Sequence, residues 1–524
     1  MEKKLLIAGI DVGSSDCRAY YHRNIGCESF HSYNQDRKIE SRVSVTKAGT
    51  IKIDRGNYDN NYVFTGKTFK GLLGVHYDES VTANVGRKCF AEIRATEDNW
   101  VEFYCNTLDR AFTPNDLMSA VLRDILMYLY KCNGNDEVGY ITFTVPPLFS
   151  LDQRKAFEKV IQSCGIDRSQ YCFISETIAA AIYSLVEENL TPGTFLVYDL
   201  GGGTFGMSIV RVTDKGIVEI CSDGDSTIGG DSFDLQIAEF VQESFQTIYD
   251  KPLLPPEDHP HYTTSYQKLI DRCKQTKEEM ARGEMDSSSI DLQDIHSRRY
   301  SKMLSVPFTN EDLDQLVSPG LERTIEVIDR ALRTSGLIKQ DITGVLLVGG
   351  STRLPSVESI LQEYFEREIS IHGDYLREHM VATGACMLSK VLYQQYDLPF
   401  LEYHNQRLFL HKLTQHDIGI GGSDNSYHVV IPQNTPQNGV RFRRRLRKSS
   451  DDVEEQYVHV YRGSQEKASD NTFVGTVRWS GFPDYPAEYV YFDLFLSVDE
   501  DGRIIADVED VRTHEMYISR EYVK

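Results

Sequence analysis

The sequence contains no long hydrophobic run. Its N-terminal apolar stretch, Leu5–Ile10, is interrupted by Asp11 and is too short for the core of a signal peptide or for a membrane-spanning helix. We therefore expect a cytoplasmic protein with no membrane partner.

Clustered cysteines are also missing. The 10 cysteines are scattered between Cys17 and Cys386, and no two of them have CxxC spacing. Disulfide frameworks and zinc sites need clustering, so we expect reduced thiols. The chain also lacks a Walker P-loop and a G-x-G-x-x-G fingerprint, which disfavours both of those nucleotide sites.

Basic residues are in the minority. There are 56 Lys and Arg against 78 Asp and Glu, and the net charge is −22. Because such a field repels polyanions, nucleic acid is not an expected partner. The 40% hydrophobic and 26% charged residues are typical of a globular protein, and 524 residues predict about two to four domains.

The first 390 or so residues alternate β-rich runs with helical stretches, which predicts α/β units. Thr113, Ser150 and Thr309 have the spacing of helix-capping boxes. Pro252–His261, with its four prolines, is predicted to be an exposed insertion. The candidate strands are Leu5–Val12, Tyr140–Val145, Thr194–Asp199 and Ile342–Val348.

The composition changes near Leu413, where runs rich in Val, Ile, Tyr and Phe begin. Asp501-Gly502 marks a hairpin turn between two of these runs. We expect an α/β domain over residues 1–396, a connector over 397–412 and an all-β sandwich over 413–524. The candidate strands are Tyr427–Ile431, Gln456–Tyr461, Glu488–Val498 and Arg503–Val508.

Four glycine-centred turns follow strands or lie between them. Glycine allows positive φ and close backbone approach, so consecutive amides converge on phosphate oxygens. Asp11 and Asp199 each end a strand and are suited to hold a hydrated Mg²⁺ against the same phosphates. A repeat of this pattern about 190 residues apart is expected of a duplicated fold closing on a nucleotide. The turns are Gly9–Ser15, Asp199–Thr204, Ile228–Asp231 and Val348–Arg353.

Six motifs occur in order: GIDVGSS, TVPPLFSLDQR, ISETIAAAIYSL, VYDLGGGTFGMSIV, STIGGDSFD and VLLVGGSTRLP. Together they resemble the seventy-kilodalton heat-shock chaperones, the DnaK-like family, and the likeness continues more loosely beyond the connector. The resemblance implies a two-lobed α/β ATPase domain of the actin-like type, built from duplicated ribonuclease-H-like units. A β-sandwich peptide-binding domain follows it. Sugar kinases of the same superfamily share only two or three such turns and have no reason to carry a sandwich.

The resemblance implies a role for individual residues. Asp11, Glu176, Asp199 and Thr204 are the candidate catalytic residues, and Asp11 and Asp199 also flank the metal. Pro146 and Arg154 match residues that relay the nucleotide state to the connector. The candidate ATP- and ADP-binding residues are Gly13, Ser14, Ser15, Gly201, Gly202, Gly203, Thr204, Gly229, Gly230, Lys277, Gly349, Gly350, Ser351 and Arg353.

Several positions depart from the family pattern. Gly206 replaces an acid that helps to bind a monovalent cation, so we expect that ion site to be lost. Arg87 and Lys88 are the nearest basic pair to the family's catalytic lysine. Lys274 and Glu278 reverse the charges expected on the adenosine-binding helix, which predicts weaker or altered recognition of the base.

The first hypothesis is an ATP-dependent chaperone that couples slow hydrolysis to the binding of unfolded or extended polypeptides, with J-domain co-chaperones and nucleotide-exchange factors as partners. Only 16 residues follow Val508, so we expect no helical lid and rapid release of bound segments. The alternative is a nucleotide-binding, catalytically weak adaptor that regulates other chaperones.

The basic run Arg441–Lys448 leaves two interpretations open. Its cations either face the acidic residues that follow, on a solvated strand and loop, or form a basic rim for acidic polypeptides or for the acidic first domain.

Overall fold

A computed structural model describes most of the chain. By contact density the chain divides into two compact units, one of Met1–Lys215 with Ser222–Leu408 and one of Gly216–Cys221 with Phe409–Lys524. The described residues are 5–23, 26–30, 37–54, 62–67, 69–78, 92–134, 137–213, 216–257, 259, 261–283, 287–293, 295, 304–373, 377–394, 401–403, 406–408, 414, 416–432, 441–482, 486–499 and 502–523.

The described helices begin where the sequence supplies caps. The side chains of Thr113, Ser150 and Thr309 accept the amides three residues on, and the capping boxes are complete, so these predictions are confirmed. No helix of the described residues is long and apolar enough to cross a membrane. The helices are α1 (Pro114–Asn133), α2 (Leu151–Ser163), α3 (Glu176–Glu187), α4 (Gly230–Tyr249), α5 (Tyr262–Ala281), α6 (Asn310–Ser335), α7 (Pro355–Phe365) and α8 (Met380–Gln394).

The strands between residues 6 and 408 fall into two larger sheets and several small ones, and one of them, Gly216–Asp225, begins in the segment Gly216–Cys221. The strands that precede the second half of this unit are β1 (Leu6–Val12), β2 (Asp16–Arg23), β3 (Gly26–Ser29), β4 (Ile39–Glu40), β5 (Arg42–Thr46), β6 (Ile51–Ile53), β7 (Tyr62–Lys67), β8 (Glu92–Ala95), β9 (Val101–Cys105), β10 (Arg110–Phe112), β11 (Val138–Val145) and β12 (Tyr171–Ser175). Those that follow are β13 (Gly193–Leu200), β14 (Phe205–Thr213), β15 (Gly216–Asp225), β16 (Ser287–Asp291), β17 (Ser305–Thr309), β18 (Gly344–Val348), β19 (Ser370–His372), β20 (Leu401–Tyr403) and β21 (Gln406–Leu408).

The two larger sheets repeat one pattern. The first has the order β12-β11-β1-β2-β3 and the second β15-β14-β13-β18-β19. In each, the central strand pairs antiparallel with the next strand in the chain, and parallel with a later strand that follows a long crossover. The carboxyl ends of β1 and β13 therefore occupy equivalent places in two sheets of the same design.

Two helices join these sheets. Helix α8 packs on β1, β2 and β11, α3 packs on β13 and β14, and the two helices pack on each other. Their closest approach depends on Gly384, where an added Cβ would lie 1.9 Å from the carbonyl oxygen of Ala179. Glycine at this position lets the two backbones come close enough to hold the halves of the unit together.

One sequence prediction needs correction in this unit. Within Pro252–His261, Leu253 and Leu254 are buried, so the segment is anchored by its leucines and only partly exposed. The predicted connector contains a short antiparallel pair, β20 with β21. Prolines mark turns, but the adjacent leucines have enough apolar area to reach the core.

The second unit is built from two four-stranded antiparallel sheets with orders β23-β22-β25-β26 and β24-β27-β28-β29. Their facing side chains form one apolar core that includes Val460, Trp479, Phe492 and Leu494. Three of its strands, Ile418–Gly421, Thr472–Ser480 and Met516–Tyr522, were not predicted from the sequence. The strands are β22 (Ile418–Gly421), β23 (Tyr427–Ile431), β24 (Phe442–Arg447), β25 (Glu455–Arg462), β26 (Thr472–Ser480), β27 (Tyr491–Val498), β28 (Ile504–Asp510) and β29 (Met516–Tyr522).

The basic run forms the edge strand β24 of its sheet. Arg445 makes a bidentate ion pair with Asp493 on the neighbouring strand, with both N–O distances 2.9 Å. Arg441 lies 3.3 Å from Asp507 and over the ring of Phe495. Cross-strand aspartates therefore compensate part of the positive charge, in place of the acidic residues that follow the run in sequence.

The contact between α3 and α8 leads to a stability prediction. Gly384→Ala is expected to lower the free energy of unfolding by about 1–3 kcal/mol, because the new methyl group overlaps the Ala179 carbonyl. Gly71→Ala is the matched control, since nothing lies within 4 Å of its added Cβ. Urea titration followed by circular dichroism measures both, and equal midpoints for the two variants would contradict the packing argument.

Candidate functional site

A cleft of about 440 Å³ lies in the first unit, where the carboxyl ends of β1, β13 and β18 meet. Asp11 lies near the end of β1, and Asp199 lies opposite Val348 at the end of β18. The glycine turns that follow these strands form the cleft floor. In open α/β sheets, ligands bind at such strand ends.

The cleft brings together nearly all of the candidate residues. Gly229 lies just behind its wall, and Arg154 lies on α2, outside the lining. Arg87 and Lys88 are outside the described residues. The candidates in the lining are Asp11, Gly13, Ser14, Ser15, Pro146, Glu176, Asp199, Gly201, Gly202, Gly203, Thr204, Gly230, Lys277, Gly349, Gly350, Ser351 and Arg353.

The first two glycine turns face each other. A Cβ on Gly202 would lie 2.0 Å from the hydroxyl of Ser15, and a Cβ on Gly203 would lie 2.5 Å from Cβ of Ser14. Gly349 has φ +87° and lies against Leu200. Side chains at these positions would fill the cleft, so its shape depends on glycine.

Three carboxylates and one lysine lie together at the floor, where Asp199 and Lys70 are buried and Asp11 and Glu176 are partly buried. Lys70 Nζ lies 2.6 Å from Glu176 Oε1, and Asp11 accepts a hydrogen bond of 2.7 Å from Thr144. Burial raises the pKa of Asp199 well above its usual range, and the negative charges of Glu176 and Asp11 raise it further. Burial also raises the pKa of Glu176, although Lys70 opposes that change.

The three carboxylates of this cluster outnumber its one cation, Lys70, so part of their negative charge is not compensated. Among the described residues no group of three or more His, Cys, Asp or Glu side chains is arranged as a metal cage. Mg²⁺ does not need such a cage, because it keeps several waters and takes one or two carboxylates together with substrate phosphates. Asp11 and Asp199 therefore fit a hydrated Mg²⁺, which would lower the cost of their ionised forms.

Lys70 is the functional candidate that sequence reasoning missed. It is 3% exposed and belongs to a single 3-10 turn, Phe69–Leu72, directly after β7. Burial alone would lower its pKa, but the charges of Glu176 and Asp11 outweigh burial and raise it. The signal available in the sequence was a lysine next to Phe69 at the end of a β-rich run, which is weak compared with a glycine motif.

The residues on α5 are already engaged by neighbouring charges. Lys277 Nζ lies 2.6 Å from Asp234 and donates to the Gly230 carbonyl at 2.7 Å. Burial would raise the pKa of Asp16, but the positive charges on Lys274, Lys38 and Arg18 hold it at about 2. Lys274 also lies 4.0 Å from Glu278.

On the opposite wall, Arg353 donates to Glu378 at 3.0 Å, and Arg18 pairs with the same carboxylate. Gly206 carries no side chain and lies against Pro147, outside the lining. In total, nine basic and eight acidic side chains line the cleft. This near balance contrasts with the net charge of −22 for the chain and lets the cleft accept an anion.

Comparison with known proteins identifies the family. The model of the family described as Hsp70 protein matches residues 7–521. The chain belongs to the Hsp70 family. The resemblance seen in the six ordered motifs is thereby confirmed. Members of this family are chaperones that bind ATP.

The Hsp70 relatives are distant but cover most of the chain. A chaperone protein dnaK of Cyanidioschyzon merolae is 27% identical over 89% of the chain and 73% of its own length. A chaperone protein DnaK of Thermotoga neapolitana is 25% identical over 97% and 79%. The iron-sulfur cluster biogenesis chaperone, mitochondrial, of Saccharomyces cerevisiae is 24% identical over 95% and 75%.

The buried carboxylates of this Hsp70 chain lead to a pH prediction. Because the folded-state pKa of Asp199 lies above the unfolded value, its contribution to stability is complete below about pH 3.9 and is lost as the pH rises through the folded pKa. Asp199→Asn is therefore expected to stabilise the nucleotide-free protein near neutral pH, because the neutral amide removes the cost of ionising a buried carboxyl group beside Glu176 and Asp11.

The gain should shrink as the pH falls toward the unfolded pKa. Thermal unfolding of the wild type, Asp199→Asn and the exposed control Asp98→Asn across this pH range measures it. A pH-independent gain, or an equal gain for the control, would show that the Asp199 carboxylate is not destabilised by its surroundings.

Proposed function

We propose that this Hsp70 chain hydrolyses ATP slowly and couples its nucleotide state to the binding of extended or unfolded polypeptides. The observation that carries the proposal is the convergence of two matching sheet ends and their glycine turns on one cleft of balanced charge. A triphosphate needs close backbone approach, compensating cations and carboxylates for its metal ion. All three are present.

We further propose that the two larger sheets are the duplicated halves of an actin-like ATPase domain over residues 1–396. The shared strand order and directions support this. Residues 397–412 would then be the connector, and residues 413–524 the sandwich that binds polypeptide. J-domain co-chaperones, nucleotide-exchange factors and a cytoplasmic location are part of the same proposal, which membership of the Hsp70 family supports.

In this function each group at the cleft floor has a distinct task. Glu176 orients the attacking water and accepts its proton, which its raised pKa favours. Lys70, held by Glu176 at 2.6 Å, supplies positive charge where negative charge develops on the transferred phosphoryl group. When bound, Mg²⁺ would neutralise phosphate charge, with Asp11 and Asp199 holding its hydration shell. Thr204 adds a hydroxyl donor to the second turn.

The adaptor that binds nucleotide but turns it over weakly is the second candidate. Lys274 and Glu278, the two positions with reversed charge, both line the cleft and lie 4.0 Å apart. The charge of Lys274 is directed in part toward Glu278 and Asp16, which favours altered recognition of the base. Calorimetry that finds tight nucleotide binding, without turnover and without affinity for unfolded polypeptide, would favour the adaptor.

The catalytic assignment predicts a loss of turnover on removal of Lys70. Lys70→Met is expected to reduce single-turnover phosphate release from Mg-ATP by about 100-fold or more, because a buried cation aimed at developing charge is lost. Lys159→Met, at an exposed position on α2, is the control and should retain the wild-type rate.

Circular dichroism and nucleotide affinity by calorimetry show whether Lys70→Met is folded. A folded variant with unchanged turnover would overturn the role of Lys70. Equal phosphate release by Asp199→Asn and the wild type would overturn the catalytic assignment of Asp199.

A further inference from the structure

An exposed aromatic surface covers the outer face of the sheet β23-β22-β25-β26 in the second unit. We define the aromatic face by its members, Tyr427, Tyr457, His459, Tyr461 and Phe473. We propose that the aromatic face binds extended polypeptide segments that carry arginine or lysine side chains. The inference rests on the proposed function, in which this unit binds polypeptide, and it names the place and the preferred chemistry.

Four rings of the aromatic face, those of Tyr457, His459, Phe473 and Tyr461, form a continuous chain of contacts. The His459 ring lies 5.1 Å from that of Tyr457 and 5.5 Å from that of Phe473, and the Tyr461 and Phe473 rings are 5.6 Å apart. The alternation of β25 explains their shared orientation, because Val458 and Val460 point into the core between them. Strand register places Phe473 directly opposite Tyr461.

Two glycines in β22 leave room for the rings of Tyr461 and Tyr427 against the sheet. A Cβ on Gly421 would be 2.9 Å from the Tyr461 ring, and one on Gly419 would be 2.8 Å from the Tyr427 ring. The Tyr427 hydroxyl donates to the Asp417 carbonyl at 3.0 Å, and His459 is hydrogen-bonded to Thr476 at 2.9 Å. These contacts and hydrogen bonds fix the ring positions in advance, as a binding surface requires.

The aromatic face is exposed to solvent. Tyr457 is 52% exposed and Phe473 55% exposed, and Val429, in the same cross-strand row as Tyr461, is 42% exposed. Contiguous exposed apolar area on a folded unit is costly and marks an interaction site. The opposite sheet contrasts with it, because arginines paired to Asp493 and Asp507 cover much of the outer face there.

Charge and ring chemistry decide the occupant. Ring faces carry negative charge density and attract cations, most strongly guanidinium groups. One such contact exists on the aromatic face itself, where Arg478 lies 5.2 Å from the centroid of Tyr457. Arg478 is itself paired with Glu455. The chain's net charge of −22 attracts cationic segments and repels polyanions.

Single-stranded nucleic acid also stacks on aromatic rings of a sheet, but such sites add a basic groove that follows the phosphates. A polypeptide with spaced arginines can place guanidinium groups on the rings, and the net negative charge of the protein attracts it. It is therefore the favoured occupant, and a nucleic-acid arm of the experiment checks the choice.

The test uses the full-length protein and fluorescence anisotropy. The probe is a labelled peptide in which arginine alternates with serine, and its partner replaces every arginine by neutral citrulline. The wild type should bind the arginine peptide about tenfold or more tightly than the citrulline peptide. Tyr457→Ser and Phe473→Ser should each weaken the arginine peptide by about three- to tenfold.

These substitutions leave net charge unchanged, so they separate ring contacts from attraction to an acidic protein. Tyr489→Ser, at a tyrosine of the same unit that is 63% exposed, is the matched control and should bind like the wild type. Thermal unfolding shows that each variant is folded.

Equal affinity for the two peptides, unchanged binding by the folded aromatic variants, or equal weakening by Tyr489→Ser would overturn the inference. So would tighter binding of a labelled oligothymidylate than of the arginine peptide. Binding of a reduced, unfolded client protein separates the two proposals. If the wild type and the aromatic variants bind it equally, the inference fails and the proposed function stands; if the wild type binds neither client nor peptide, both fail.

Discussion

The structure depends on a concentration of buried charge at the floor of one cleft. Asp11, Glu176 and Asp199 come from three different elements, and the cation paired with them there is Lys70. Burying several carboxylates near one another is unfavourable unless a cation compensates them. The arrangement therefore lowers the stability of the ligand-free protein, and the proposed metal ion with its phosphates would compensate that loss.

The repeated sheet design explains why these groups lie at one cleft. It also explains which of them could be predicted from the sequence. Each aspartate followed by a glycine turn is a local pattern, so both turns could be recognised from the sequence, and their separation indicated duplication. Lys70 could not be recognised in the same way. Its position depends on the path from β7 through one 3-10 turn, and Thr68, within that path, is outside the described residues. The approach of α3 to α8 was equally hidden, because Gly384 matters only once Ala179 is opposite it.

The second unit shows the same limit in a β-structure. Runs rich in Val, Ile, Tyr and Phe predicted four of its eight described strands, but the aromatic face also requires the register between strands. A register shift between Val460 and Tyr461 sets Phe473 opposite Tyr461, and the bulge at Ile418 and Gly419 sets Val429 in the same row. A slip of one residue would move these side chains to the other face of the sheet. The last strand, β29, was missed because its sequence lacks a clear turn signal before it.

The charge departures in the cleft compensate one another, which bears on the proposed function. Lys274 keeps Asp16 ionised and lies 4.0 Å from Glu278, while Arg18 and Arg353 share Glu378. A polar ligand gains little from groups that must first give up existing partners. The glycine turns at the phosphate end carry no such competing side chains. Affinity in this chain is therefore expected to depend more on the phosphates and their metal ion than on the base.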